Sequence, residues 1–268
     1  MVRAPAVAGR FYPDEPKALL EEIKEHLPQP GGKVRAMGVV APHAGIMYSG
    51  DVAGSVYSKI EVPESVVIVG PNHTGYGEPI SLMAKGSWAM PMGKVEIDEE
   101  LAREILKASP SIREDDKAHL REHSIEVQIP FLQYFRKDFK FVPICLMRTG
   151  YEVCREVGGA IAAAIERLDR KSVLVVASSD MTHYESHESA SQKDRLAIDK
   201  ILKLDDLGLY QTVRDRDISM CGANPVTVML ACCKDRGARD CELVRYMTSG
   251  EVSGDMDQVV GYAGLIVK

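Results

Sequence analysis

The sequence predicts an α/β protein: a single three-layer α/β/α domain, residues 1–268, on a mainly parallel central sheet. Three observations predict it. Short apolar, β-branched runs such as Val66-Val67-Ile68-Val69 and Val173-Leu174-Val175-Val176 alternate with segments of helical period. Three such runs each lead into a histidine: Met37-Gly38-Val39-Val40-Ala41-Pro42 into His43, Val66 to Asn72 into His73, and Val173 to Ala177, through Ser178-Ser179-Asp180-Met181-Thr182, into His183. Finally, 268 residues that are 45% hydrophobic and 27% charged suffice for one core, and no repeat, low-complexity tract or linker divides them.

In order along the chain, Pro13, Asp14 and Pro16 introduce a helix over about 16–27, with Leu19, Leu20, Ile23 and Leu27 on one stripe. Pro28, Pro30, Gly31 and Gly32 close it. A strand follows at 34–41 and, after the loop Pro42-His43-Ala44-Gly45, a helix at 50–60. The second strand is 65–70. Residues 79–97, broken by Gly86, Pro91 and Gly93, read as short antiparallel pieces. Helices follow at 98–108 and from Glu122 towards Tyr134, the latter limited by Pro130. A strand at 139–146, an Ala-rich helix at 151–168 and a strand at 172–177 come next. Helices at 190–203, 206–215 and from Asn224 precede strands at 241–247 and 259–267.

Charge and cysteine usage narrow the function. The net charge is −6 and no dense Lys/Arg block occurs, so the chain lacks the basic face that nucleic acid requires. The six cysteines form no C-x-x-C pair, which points away from zinc ribbons and thioredoxin motifs. They read as free thiols in a reducing cytoplasm. The start Met1-Val2-Arg3-Ala4 lacks a signal-peptide pattern, and no apolar run spans a bilayer.

Ligands of an open α/β sheet bind at the carboxyl ends of its strands. Imidazoles of His43, His73 and His183 delivered to that edge would converge on one metal ion; a loop histidine satisfied by a backbone carbonyl is the alternative for each. The loop Gly70-Pro71-Asn72-His73-Thr74-Gly75 matches neither phosphate-binding glycine motif. Asp180, three residues before His183, would fix an imidazole tautomer or cap a turn. Cys221, in Met220-Cys221-Gly222-Ala223-Asn224-Pro225, enters a helix and is either a metal ligand or a buried inert thiol. His187 reads as solvated. His119-Leu120-Arg121-Glu122-His123 spells the inverzincin pattern H-x-x-E-H, a zinc-peptidase alternative. The stretch from Glu122 through Glu126 to Phe131 reads instead as a helix whose polar face lines a cleft. No G-x-S-x-G elbow occurs, which removes the serine-hydrolase reading.

At these residues the chain resembles the Memo proteins. The matching strings are Ala41-Pro42-His43-Ala44-Gly45, Gly70-Pro71-Asn72-His73, Glu122-His123-Ser124-Ile125-Glu126, Ser178-Ser179-Asp180-Met181-Thr182-His183 and Met220-Cys221-Gly222. Ala8-Gly9-Arg10-Phe11-Tyr12-Pro13 and Ser249-Gly250-Glu251-Val252-Ser253-Gly254-Asp255 extend the likeness over nearly the full chain. The resemblance implies the fold of LigB-like class III extradiol dioxygenases, which use non-haem Fe(II). It implies His43, His73 and Cys221 as metal ligands, and His183 with Asp180 as the acid/base pair. His123 and Glu126 would orient substrate. A cysteine where the dioxygenases keep a carboxylate brings Cu or Zn into contention beside iron.

Extradiol chemistry needs open metal positions for catecholate and O₂, with His183 taking a proton and returning it. The rival reading is a metal-dependent binding module that receives a peptide or partner domain. Prokaryotic relatives occur alongside radical-SAM and AMMECR-type proteins, which implies partners in a modification system. A metal-assisted hydrolase is a third reading. The ligand is thus expected to be a small molecule or a peptide, with no nucleic acid or membrane partner.

Overall fold

Four parallel strands form the centre of the molecule and end at one edge. The computed structural model describes residues 1–29 and 31–268. The chain runs β1 (Val2–Arg3), α1 (Pro16–Glu25), β2 (Gly38–Ala41), α2 (Ile46–Ser58), β3 (Ser65–Pro71), β4 (Ile80–Leu82), β5 (Ser87–Met90), β6 (Gly93–Glu96) and α3 (Glu99–Ala108). It continues through β7 (Arg113–Glu114), a 3₁₀ turn (Lys117–His119), α4 (Gln128–Phe135), β8 (Lys140–Leu146), α5 (Tyr151–Arg167), β9 (Val173–Ser178) and β10 (His183–Glu185). It closes with α6 (His187–Leu202), α7 (Asp206–Asp215), α8 (Ala223–Asp235), β11 (Cys241–Thr248), α9 (Gly250–Ser253) and β12 (Val259–Val267).

The main sheet has the order β10-β12-β2-β9-β3-β8-β4-β7, with β11 also paired to β12. β2, β9, β3 and β8 are mutually parallel. β12 is antiparallel to β2, and β4 to β8, so the expected parallel sheet is its centre and antiparallel strands flank it. β3 and β9 are buried along their whole length, as continuous Val/Ile runs covered on both faces should be. The crossover β2-α2-β3 moves one way across the sheet and β8-α5-β9 moves back. Right-handed connections therefore put α2 and α5 on opposite faces, giving three layers. α1 and α4 pack beside α2, while α3 and α8 pack beside α5. A small sheet, β1-β5-β6, carries the N-terminus.

Element boundaries differ from the sequence reading for local reasons. β2 begins at Gly38, because Val34 makes only an isolated bridge to Ile60. α2 starts at Ile46, one residue past Gly45, so His43 sits in a tight turn between strand and helix. The helix expected from Glu122 starts at Gln128, which places Pro130 in the first turn, where its missing N–H costs nothing. Pro30, expected to help end the first helix, lies outside the described residues. No helix among the described residues is long and apolar enough to cross a membrane.

α5 and α8 approach closely at Gly158, where a Cβ would meet Ala231 Cβ and the Val228 carbonyl oxygen at 2.7 Å each. Backbone cannot yield as a side chain tip can. Gly158→Val is therefore expected to lower stability by about 1–3 kcal/mol, read as a fall in urea midpoint at unchanged m-value; an unaltered midpoint would contradict this packing.

Candidate metal centre

Three imidazoles, from three different loops, meet at the carboxyl edge of the central strands. One ring nitrogen from each of His43, His73 and His123 lies within 4.8 Å of the others. The His73 and His123 rings stack with centroids 4.7 Å apart, and His43 stands edge-on to both at 5.2 and 5.4 Å.

His43 follows β2 and is buried. Its ring Nδ1 lies 2.8 Å from the Oγ of Ser178, the last residue of β9. That hydroxyl has one proton, donated to the Ser124 carbonyl at 2.6 Å, and it already accepts from Gln128 Nε2 at 2.8 Å. Nδ1 of His43 must therefore carry the hydrogen, so Nε2 keeps its lone pair, with the Cys221 Sγ 3.3 Å away. Burial, with the neighbouring His123 and His73 rings, pushes the His43 pKa well below the usual range, so the ring is neutral.

His73 follows β3. Asn72 Oδ1 accepts from the Thr74 and Gly75 backbone N–H groups at 3.0 and 2.9 Å, an Asx turn that bends the chain there. Glu122 then grips His73 twice, accepting from its backbone N–H at 2.6 Å and from ring Nδ1 at 2.9 Å. The same carboxylate accepts from the backbone N–H groups of His123 and Ser124, both at 2.9 Å. Burial raises the Glu122 pKa, but the His73 hydrogen bond, the His73 and His123 charges and the backbone donors bring it down to about 2. An ionised carboxylate only accepts, so His73 Nδ1 also keeps its hydrogen and donates it, and Nε2 is the nitrogen left to ligate. Burial opposes charge on His73, yet Glu122 outweighs it and raises the pKa; on His123 burial prevails and lowers it. Three nitrogen donors, two of them orientationally locked and His43 held neutral, fit a transition-metal ion.

The third imidazole is thus His123, expected to touch substrate, rather than His183. His183 sits one step away, its Nδ1 held by the Ser219 carbonyl at 3.0 Å and its backbone N–H by Ser219 Oγ at 2.7 Å. Asp180 does not hydrogen-bond His183. It accepts the His43 backbone N–H at 2.8 Å, and burial raises its pKa against the His43 and Ala44 donors. Cys221 Sγ lies 3.3 Å from His43 Nε2, and burial together with Asp180 keeps the thiol protonated.

Two expectations are corrected. Glu126 does not line a cleft: it is fully buried and binds Arg3, the Ala6 and Val7 backbone N–H groups and the Tyr12 hydroxyl. His119 is no metal ligand either. It is fully buried behind the site, edge-on to Trp88, with Nε2 3.1 Å from Ser81 Oγ, so H-x-x-E-H is not an inverzincin grip. The segment 122–127 is not helical because Arg3 takes the His119 and Glu122 carbonyls while the Glu122 side chain takes the N–H groups of residues 123 and 124. The sequence reading gave Ser178 no role of its own and passed over Gln128; nothing local marks a serine at a strand end as an imidazole anchor.

Fold and centre together define a three-layer α/β protein with a candidate three-histidine metal site. The comparisons are more specific. The Memo family, described as "Memo-like protein", matches residues 3–266, and this chain belongs to that family. A MEMO1 family protein of Methanopyrus kandleri is 45% identical over 100% of this chain and 99% of its own length. One from Methanothermobacter thermautotrophicus is 45% identical, covering 99% of this chain and 100% of itself. In fold alone, the crystal structure of an uncharacterized protein from Escherichia coli K12 is similar at TM-score 0.57 and 12% identity, covering 87% of this chain and 100% of that one.

Two outcomes are expected. Ser178→Ala removes the acceptor that fixes the His43 tautomer, so metal affinity measured by competitive chelator titration should fall about 10–100-fold; an unchanged affinity would discard the tautomer lock. His119 is held neutral by burial and by Arg3, with its pKa lowered to about 4. Below pH 6.5 the unfolded chain takes up a proton that the folded chain refuses, so this group's contribution is full above 6.5 and is lost on falling towards pH 4. The loss is on the order of 3 kcal/mol, and chemical denaturation at pH 7 and pH 4 should show a shallower dependence in His119→Asn.

Proposed function

We propose that this protein is a metal-dependent oxidoreductase with a mononuclear, non-haem-iron-type centre on His43, His73 and His123, acting with O₂ on a small organic substrate. The observation that carries the reading is the convergence of the three ring nitrogens within 4.8 Å, two of the rings locked by Ser178 and Glu122. His43, His73 and His123 would hold a metal ion there, which would supply Lewis acidity and electron transfer.

The chain's own residues do the rest. Glu122 orients His73 and fixes the backbone of His123. Asp180 holds the His43 turn. His183 donates its Nδ1 hydrogen to the Ser219 carbonyl, so its Nε2 is the free base that takes a proton from a substrate hydroxyl and returns it. The Cys221 thiol stands beside His43; as a thiolate it would join the donor set, and that softer ligand keeps copper or zinc in contention beside iron. Tyr184 favours a second reading. The residue is 74% exposed, its ring beside that of His183 with centroids 5.9 Å apart, and it offers an aromatic contact to a peptide. In that reading the centre organises a binding module for a partner in a modification system of the radical-SAM or AMMECR type.

Metal content and oxygen uptake separate these readings. Wild-type protein loaded anaerobically with Fe(II) should retain iron through desalting, whereas His73→Ala and His123→Ala should lose it. His183→Ala should keep the metal but lose O₂ consumption over a catechol panel by about 10²–10⁴-fold. Retention of metal with no oxygen uptake for iron, copper or zinc would leave the binding module; no metal retention by the wild type would end both.

A further inference from the structure

The same sheet edge opens a second space beside the imidazoles. A cavity of about 850 Å³ lies between the loop after β8, helix α7 and the segment that leads into α8. That volume suits a small-molecule ligand. Its wall includes Arg148, Tyr210, Arg214, Asp217, Ser219 and Cys221. Two arginines thus line one cavity against a single acidic residue, on a chain whose net charge is −6.

Arg214 is braced before any ligand arrives. It donates to Tyr210 Oη at 2.8 Å and lies 5.3 Å from that ring's centroid, while the tyrosine hydroxyl donates onward to the Thr149 carbonyl at 3.2 Å. Ordering an arginine in advance lowers the entropy cost of binding. A guanidinium presents paired, planar donors that match an oxyanion. The strip Ser219–Cys221 is shared with the candidate metal centre. The Ser219 carbonyl holds His183 Nδ1 at 3.0 Å, and Cys221 Sγ stands 3.3 Å from His43 Nε2.

We propose that this cavity binds a small ligand through a phosphate or carboxylate group held by Arg148 and Arg214. The remainder of the ligand then borders Ser219 and Cys221, next to the imidazole cluster. The site adds a charge class to the ligand and does not depend on which metal, if any, the cluster holds.

Calorimetric titration of the full chain with inorganic phosphate and with succinate tests it. At least one probe should bind saturably, and binding should weaken as NaCl rises, since the arginines are exposed. Arg148→Gln and Arg214→Gln should each weaken it about tenfold, with circular dichroism unchanged. A preference for phosphate assigns a phosphorylated ligand, and one for succinate a carboxylic acid. Binding should persist in the His73→Ala/His123→Ala double variant, which lacks two of the three imidazole donors. No saturable binding of either probe, indifference to both arginine substitutions, or loss of binding in the double histidine variant would each overturn the assignment; the last would put the anion on the metal centre instead.

Discussion

The Glu122 carboxylate collects four N–H groups: the backbone and ring Nδ1 of His73 and the backbones of His123 and Ser124. A buried carboxylate without partners would be expelled or protonated. Here the donors outweigh desolvation and the group stays ionised. That one charge decides which ring nitrogen of His73 carries hydrogen, and it joins the exit of β3 to the segment before α4. Two of the three imidazoles owe their relative position to it.

Behind this carboxylate lies a second buried pair. Arg3, from the short strand β1, reaches the His119 and Glu122 carbonyls and the Glu126 carboxylate, and its guanidinium rests 4.0 Å from the centroid of the Trp88 ring. Breaking such a pair leaves an uncompensated buried charge, far costlier than the pair's own net worth. The N-terminus therefore acts as a structural member of the site's rear wall. Its role also explains why 122–127 forms no helix: carbonyls and N–H groups that would bond along a helix are bound to side chains.

The cluster's electrostatics follow from burial. Desolvation disfavours the cations of His43 and His123, and the neighbouring imidazoles add to it on both. His73 alone is biased towards the proton, by Glu122. Free lone pairs at one spot are what a metal ion needs, and the same arrangement leaves His183 and Cys221 at its border.

From sequence alone, the strands β3 and β9, helices α3 and α7 and the parallel centre of the sheet were legible, because a hydrophobic period and end signals are local properties. His43 and His73 were legible as residues of the candidate site for the same reason: each follows a strand whose carboxyl end must face the ligand edge. His183 carries an equal signal, yet Ser219 tethers its ring one step aside, while His123, in a stretch with helical spacing, takes the third place. Glu126 shares that spacing and points into the rear wall. Sequence determines which residues arrive at an edge; which imidazoles converge, and in which tautomer, was decided by Glu122, Ser178, Gln128 and Arg3, each of which has a partner 49 to 135 positions away along the chain.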